Sequence, residues 1–378
     1  MRILLIGDVL NGHSGSPKVL LNVARSFKMQ GHEVKLVFFG ESDDSDNIKP
    51  RFQDFDYIIW KSRLLSRMES PLSVYISKSH SDFKKDDVGG VLLQFFIWYK
   101  IRRMKFKPDI ILYLNLWSSF SAMISPINKN NVVLLHEAPI FEEFNPLIRK
   151  ILRLYAKVLM KKLTTLSITE SIMKSTNSFY KVDTGKISII HFEDFPSKGK
   201  EDFVLLDTRW TYERDPFFAI ELSKKMRHYP IVMHGFFPNK SLENEVKKTI
   251  TQLKLDIRVL SGLSDIDLSN LYDSAKVVVR WHANHEEGPS ITVLDAISHN
   301  CIPVIDEKLT SAVDVKHNIS PDLIVNKSPD EFARVILRVF EDKVFYLDVF
   351  EKLREFKKRN TWLTFTDELI LNLGDFHD

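Results

Sequence analysis

The sequence has one cysteine, almost no excess charge and no long apolar run, and each scarcity excludes a class of protein. Because Cys301 is the only cysteine among 378 residues, an intramolecular disulfide framework and a cysteine-rich zinc site are excluded. The formal net charge is only +3, from 53 Lys and Arg residues against 50 Asp and Glu residues. So small an excess argues against a protein-wide nucleic-acid surface, and we expect no nucleic-acid partner.

Apolar runs are short throughout the chain. The run Ile3–Ile6 is shorter than the roughly 7–15 apolar residues of a secretory signal. No window approaches the roughly 20 apolar residues of a membrane-spanning helix. We therefore expect a cytoplasmic protein, with peripheral contact at a membrane surface as an open alternative.

The composition is that of an ordinary globular protein, with 44% hydrophobic and 27% charged residues. Short apolar runs alternate with segments of helical periodicity, which is typical of an α/β fold with parallel strands. In the first such unit, strand Ile3–Ile6 is followed by a helix that ends at Gly31 and then by strand Val34–Phe39. The chain length favours two domains, and the segment His191–Lys200, with its Pro and Gly residues, is the predicted linker.

The densest polar cluster is the segment Trp281–Ala296, which follows the predicted strand Lys276–Val279 and precedes a predicted helix. Two doubly wound domains would bring the carboxyl ends of their strands to one cleft, where such sheets bind ligands. Glu287 and Asp295 could face that cleft, while the helix that Ser290 caps offers N–H groups to a phosphate. Taken alone, two acids near a helix start are better explained by a favourable interaction with the helix dipole than by ligand binding.

Three segments of the second half stand in a recognisable order. The first is Phe203–Pro216, which has two arginines five positions apart. The second is Ser261–Tyr272, and the third is the acidic block Glu287–Ile305. Together they closely resemble the corresponding segments of glycosyltransferase family 4, whose members are retaining GT-B glycosyltransferases, over about residues 200–345. The first half agrees more loosely, through its Gly12–Gly15 loop and through His136.

This resemblance implies a fold and an activity. The implied fold is α/β of the GT-B type, in which two Rossmann-like doubly wound domains face a cleft and a C-terminal helix crosses back to the first domain. The implied domains are an acceptor-side domain at residues 1–195, a nucleotide-sugar-binding domain at 196–355 and the crossover helix at 356–378. The implied reaction moves a sugar from a nucleotide-diphosphate-sugar to a glycan, a lipid-linked glycan or a small molecule, with retention and without a metal or other cofactor.

The resemblance also assigns roles to individual residues. Glu287 contacts the donor sugar as a catalytic residue, and His136 stands beside that sugar. Asp295 holds the ribose, while Arg209 and Arg214 neutralise the diphosphate, which suits the match of guanidinium groups to phosphate oxygens. The other implied donor-binding residues are Gly15, Gly262, Gly288, Ser290 and Ile291.

Three positions depart from the family pattern. Asp295 replaces the usual Glu and is one methylene shorter, and Arg214 replaces the usual Lys. Pro289 stands where the family has an aromatic residue, so one backbone N–H that could bind the sugar is missing.

Other functions remain open at this stage. A GT-B enzyme that alters the nucleotide-sugar itself, such as an epimerase, and a non-catalytic nucleotide-sugar-binding relative would share these segments. A nicotinamide enzyme is disfavoured because the first loop lacks the Gly-x-Gly-x-x-Gly spacing. A metal site at His282 and His285 is rejected because no further ligand accompanies the pair.

The segment Pro146–Leu163 combines six basic residues with an apolar helical stripe. Such a helix can lie on an anionic membrane surface, so weak contact of this kind is a candidate interaction. The alternative is a helix that packs its apolar stripe into the first domain and exposes its basic face to water.

Overall fold

The structure is a computed structural model that describes residues 1–7, 15–39, 54–60, 98–114, 122, 131–135, 146–168, 170–186, 192–193, 195, 199–282 and 290–375. The chain divides into two compact units. The first unit comprises Met1–Ile189 and Trp362–Asp378, and the second comprises Ile190–Thr361.

The first unit is built on a parallel sheet. Its described strands are β1 (Arg2–Gly7), β2 (Glu33–Phe39), β3 (Asp56–Trp60), β4 (Ile110–Leu114), β5 (Asn131–Leu135), β6 (Thr164–Ser167) and β7 (Gly185–Lys186), in the spatial order β3-β2-β1-β4-β5-β6-β7. Its described helices include α1 (Gly15–Met29), α2 (Pro146–Lys162) and α3 (Glu170–Tyr180). Residues 3–6 of β1 are 0% exposed, because both faces of a parallel sheet are covered.

The second unit has a parallel sheet of the same design. Its strands are β8 (Glu201–Asp207), β9 (Ile231–His234), β10 (Ile257–Leu260), β11 (Ala275–Arg280), β12 (Ile302–Asp306) and β13 (Ile324–Val325), in the order β10-β9-β8-β11-β12-β13. Its helices are α4 (Pro216–Lys225), α5 (Lys240–Gln252), α6 (Asp265–Ser274), α7 (Ile291–Ser298), α8 (Ala312–Asn318), α9 (Pro329–Glu341) and α10 (Lys343–Arg359). A 3-10 turn at Pro321–Leu323 precedes β13.

In each sheet the strand order reverses beside the first strand, between β1 and β4 and between β8 and β11. This is the doubly wound, Rossmann-like arrangement, and it confirms the predicted α/β fold class. Within the described part of the chain, every helix is too short or too polar to span a bilayer.

The last helix, α11 (Trp362–Asp375), belongs to the first unit and packs against α1. The hydroxyl of Ser26 donates to the carbonyl oxygen of Trp362 at 2.7 Å, and the side-chain amide of Gln30 donates to the carboxylate of Asp367 at 2.6 Å. A C-terminal helix that returns to the first domain is therefore present, as the sequence predicted.

The unit boundaries in the structure lie six residues from the predicted ones at both junctions. The second unit begins at Ile190 rather than at residue 196, because Phe192 forms a β-bridge with Thr361 and its ring packs against Phe356 at 5.3 Å. The returning helix begins at Trp362 rather than at residue 356, because α10 continues to Arg359 within the second unit.

A close backbone approach joins the ends of β8 and β9. Gly235 has φ +134°, and a Cβ added there would lie 1.8 Å from the carbonyl oxygen of Thr208. The backbone N–H of Thr208 donates to the carbonyl of His234 at 3.2 Å, so the two segments run side by side. Only glycine fits this position without displacing Thr208.

We expect Gly235→Ala to lower the free energy of unfolding by about 3 kcal/mol, because the added methyl would overlap backbone that cannot move freely. Gly262→Ala is the matched control, since Gly262 also has a positive φ of +70° but no atom within 4 Å of the added Cβ. It should cost about 1–2 kcal/mol of backbone strain alone. Urea unfolding of both variants measures the difference, and equal losses would contradict the close approach.

Candidate functional site

The candidate site lies in the second unit, where the strand order reverses between β8 and β11. Open parallel sheets bind ligands outside the carboxyl ends of their strands at such a point. Asp207 ends β8 and Arg280 ends β11, and α7 begins at Ile291 after the loop that follows β11. These three chain segments supply the polar groups described below.

The carboxylate of Asp207 joins several elements at this edge. It lies 2.8 Å from Nδ1 of His234 at the end of β9, and it accepts a hydrogen bond of 2.7 Å from the hydroxyl of Tyr272 in α6. The carbonyl oxygen of Asp207 accepts from the hydroxyl of Thr292 in α7 at 2.8 Å. Burial, and then the nearby Asp207 carboxylate, raise the pKa of Tyr272 well above its ordinary value, so this hydroxyl stays a donor.

Two guanidinium groups meet at the hydroxyl of Thr208, the residue after β8. Nη1 of Arg214 donates to Thr208 Oγ1 at 2.5 Å, and Nη1 of Arg280 donates to the same oxygen at 3.0 Å. Arg280 is 4% exposed. The shared hydroxyl therefore brings two positive charges together at the carboxyl end of the sheet.

The loop that carries Arg214 is held in place by its own backbone. The N–H of Arg214 donates to the carbonyl oxygen of Thr211 at 3.1 Å, and the carbonyl of Arg214 accepts from Nε1 of the buried Trp281 at 3.0 Å. Asp215 follows with φ +49° and caps α4 by accepting from the N–H of Phe218. Arg214 thus starts from a backbone position that is already ordered.

The two arginines that the resemblance assigns to the diphosphate lie in different environments. Arg214 is partly buried against Thr208, whereas Arg209 is exposed. The structure brings Arg214 together with Arg280, which sequence reasoning did not select. The signal was available, since Arg280 is a charged residue that follows three consecutive valines and precedes a tryptophan.

The first turn of α7 lies beside this edge. Ser290 is the N-cap residue, as predicted, although its side chain makes no capping hydrogen bond; its backbone N–H donates to the hydroxyl of Ser311 at 3.2 Å. Asp295 is partly buried one turn further on, and its charge contributes to the raised pKa of Tyr272. Ser290, Ile291 and Asp295 therefore share one helix that is tied to the end of β8.

The other predicted site residues stand elsewhere or lie outside the described part of the chain. Glu287, Gly288 and His136 are outside the described residues. Gly262 is exposed in the turn after β10, two strands from β8, and Gly15 is the first residue of α1 in the first unit.

No group of three potential metal ligands occurs among the residues that the structure describes. His282, once considered as a ligand, uses its backbone N–H to donate to the carboxylate of Asp306 at 3.1 Å. His285 lies outside the described residues.

Comparison with known families finds one match in the second unit. Residues 189–361 match the model of the family described as glycosyl transferases group 1. A search of curated protein sequences finds no match.

Comparison with solved structures finds similar folds along the whole chain. A glycosyltransferase from Rickettsia africae ESF-5 is 15% identical with a TM-score of 0.68, covering 98% of this chain and 97% of the other. HepE from Anabaena in complex with UDP-glucose is 12% identical with a TM-score of 0.70, covering 99% of each chain.

A variant of TarM from S. aureus, in complex with Fondaparinux, alpha-GlcNAc-glycerol and UDP, is 14% identical with a TM-score of 0.68. The alignment covers 98% of this chain and 99% of TarM. At such identities the likeness shows the fold, and that fold is the GT-B fold of glycosyltransferases.

Proposed function

We propose that this chain, which its group 1 domain and its fold identify as a glycosyltransferase, uses a nucleotide-diphosphate-sugar as donor and transfers the sugar with retention at the anomeric carbon. The candidate acceptors are a glycan, a lipid-linked glycan and a small molecule, and the surface of helix α2 favours the lipid-linked one. The observation that carries the donor proposal is the guanidinium group of Arg214, held against Thr208 where the strand order reverses.

The charge at this edge suits a nucleoside diphosphate as leaving group. Negative charge develops on the diphosphate as the bond to the sugar breaks, and a guanidinium group fixed in advance stabilises it without reorganisation. The N-terminus of α7 adds a favourable dipole. In this proposal the arginines meet the diphosphate charge, so that no metal ion is needed.

The remaining roles extend the proposal to the sugar and the nucleoside. Asp295 accepts hydrogen bonds from the ribose hydroxyls, and Glu287 and His136 act at the donor sugar. HepE from Anabaena was solved with UDP-glucose and the TarM variant with UDP, which supports a uridine nucleotide as the first donor to test.

The first unit offers a surface for an acceptor carried on a membrane. Helix α2 buries Leu152, Ala156, Leu159 and Met160. On its opposite side three large apolar residues face solvent, namely Leu147, Ile151 and Leu154, with exposed fractions of 68%, 59% and 65%.

This exposed apolar stripe follows helical spacing and has basic residues along its flank, among them Lys150, Lys157 and Lys161. Helix α2 therefore has one apolar face that packs into the first unit and a second that faces solvent. Packing into the first domain and contact with a membrane surface are thus compatible for this helix. An outward apolar stripe beside lysines is the pattern of helices that lie on anionic lipid surfaces. We propose that the first unit binds such a surface weakly and that the acceptor is lipid-linked.

We expect Arg214→Ala to weaken uridine diphosphate binding by about 2–5 kcal/mol, because a partly buried charge that meets the diphosphate is lost. Arg209→Ala should weaken binding less, since Arg209 is exposed and its charge is screened by solvent. Calorimetry and donor turnover measure both effects, with the exposed Arg227→Ala as control. Normal binding and turnover in both variants would contradict the diphosphate site.

Asp295→Asn should weaken uridine diphosphate binding about tenfold, because the carboxylate that accepts from the ribose is lost. The affinity for inorganic pyrophosphate, which has no ribose, should not change. Asp295→Glu should retain binding, since it restores the side chain usual at this position of the family. If Asp295→Asn binds uridine diphosphate as the wild type does, Asp295 does not hold the ribose.

Wild-type protein should sediment with vesicles of anionic lipid at low salt and be released as salt rises, because each lysine near the surface contributes about 1 kcal/mol. Lys150→Glu/Lys161→Glu should abolish binding, and Leu147→Ser/Ile151→Ser should reduce it at every salt concentration. A matched control is Lys247→Glu/Lys248→Glu in α5 of the second unit, which should bind as the wild type does. Wild-type protein that stays in the supernatant at low salt would favour a soluble acceptor.

A further inference from the structure

Arg280 contributes a second, buried guanidinium group at the proposed diphosphate site. It is the last residue of β11 and is 4% exposed, and its Nη1 lies 3.0 Å from Thr208 Oγ1. The same oxygen accepts from Arg214 at 2.5 Å. The strand before it is apolar at Val277, Val278 and Val279, so an apolar residue would fit the burial of this position without the cost of desolvating a charge.

We propose that Arg280 is a positioning residue for the donor diphosphate. It holds Thr208 and Arg214 in place, and it adds a buried positive charge beside that of Arg214, which favours a diphosphate over a monophosphate. This inference rests on the proposed function, because it assumes that the donor's phosphates bind at Arg214. It assigns Arg280 a role that the family resemblance does not assign.

The geometry supports coupling between the two arginines. The hydroxyl of Thr208 has two lone pairs, and each guanidinium group donates to it. Neither group can turn away without losing that bond. Two cations held this close repel each other, and a bound anion relieves the repulsion. Anion affinity therefore depends on both arginines together.

The backbone around Thr208 makes this arrangement rigid. Its N–H donates to the carbonyl of His234 at 3.2 Å, and its carbonyl oxygen lies so close to Gly235 that a Cβ would not fit there. The next turn of chain is held by Trp210, whose N–H donates to the carbonyl of Phe236 at 2.8 Å. Thr208 thus sets where both guanidinium groups point.

The charge of the ligand distinguishes a diphosphate from a monophosphate. At neutral pH inorganic pyrophosphate carries more negative charge than inorganic phosphate, and its phosphoryl groups span a longer distance. A pair of guanidinium groups gains more from such an anion than from a single phosphate, because each positive charge acts on each negative one. The ratio of the two affinities therefore reports on Arg280.

The test is calorimetry with inorganic pyrophosphate and inorganic phosphate on wild-type protein and on the variants Arg214→Ala, Arg280→Met, Arg280→Lys and Thr208→Val. Arg280→Met should lose about tenfold to a hundredfold in pyrophosphate affinity, and the ratio of pyrophosphate to phosphate affinity should fall by about threefold or more. Arg280→Lys should recover part of the loss, because it restores the charge without the planar fork. Arg258→Met, an exposed arginine on β10 of the same sheet, is the control and should bind as the wild type does.

Two results would separate a failure of the proposed Arg280 role from a failure of the proposed donor site. If Arg214→Ala loses pyrophosphate affinity and Arg280→Met does not, the role of Arg280 is wrong while the proposed donor site stands. If the wild type binds neither pyrophosphate nor uridine diphosphate, the donor site itself is wrong and the inference falls with it.

A purely structural role for Arg280 predicts lower thermal stability with an unchanged affinity ratio, which would also overturn the inference. Should Arg280→Met fail to fold, Thr208→Val decides the matter. That variant keeps both charges and removes only the shared hydroxyl, and we expect it to lose about tenfold in pyrophosphate affinity. Wild-type affinity in Thr208→Val would contradict the coupling.

Discussion

The junction at the end of β8 determines where the candidate site can form. Asp207 ties this strand to His234 at the end of β9, to Tyr272 in α6 and to Thr292 in α7, all within 2.8 Å. The next residue, Thr208, then orients two arginines. Because a partly buried carboxylate is costly without donors, the bonds from His234 and Tyr272 hold β9 and α6 against β8, and the bond from Thr292 to the backbone carbonyl adds α7. The site depends on that arrangement.

The far end of α7 is held as firmly as its first turn. The ammonium group of Lys200 donates to the carbonyl of His299 at 2.7 Å, and that of Lys357 donates to the carbonyl of Ser298 at 3.3 Å. Burial lowers the pKa of Lys200, while the neighbouring Cys301 and Asp273 oppose that shift. Cations at a helix C-terminus also suit the helix dipole. The helix that carries Asp295 is therefore secured at both ends by groups distant in sequence.

Sequence reasoning predicted the strands and the doubly wound class because buried parallel strands read as short continuous apolar runs. It predicted Ser290 at the start of α7 from the local sequence pattern, although the side chain of Ser290 makes no capping hydrogen bond in the structure. It placed the unit boundary and the returning helix less well. Those depend on the packing of Phe192 with Thr361 and Phe356, residues that lie far apart along the chain.

The sequence by itself determined the fold class, the order of the segments and the charge available to the site. Only the tertiary structure decided which arginines lie together, because Thr208, Arg214 and Arg280 meet through the pairing of β8 with β11 and through a loop whose course no local pattern predicts. It likewise decided that Arg209 faces solvent and that α2 has apolar residues on two opposite sides. The exposure of a residue depends on which other parts of the chain pack against it, and only the folded chain determines those contacts.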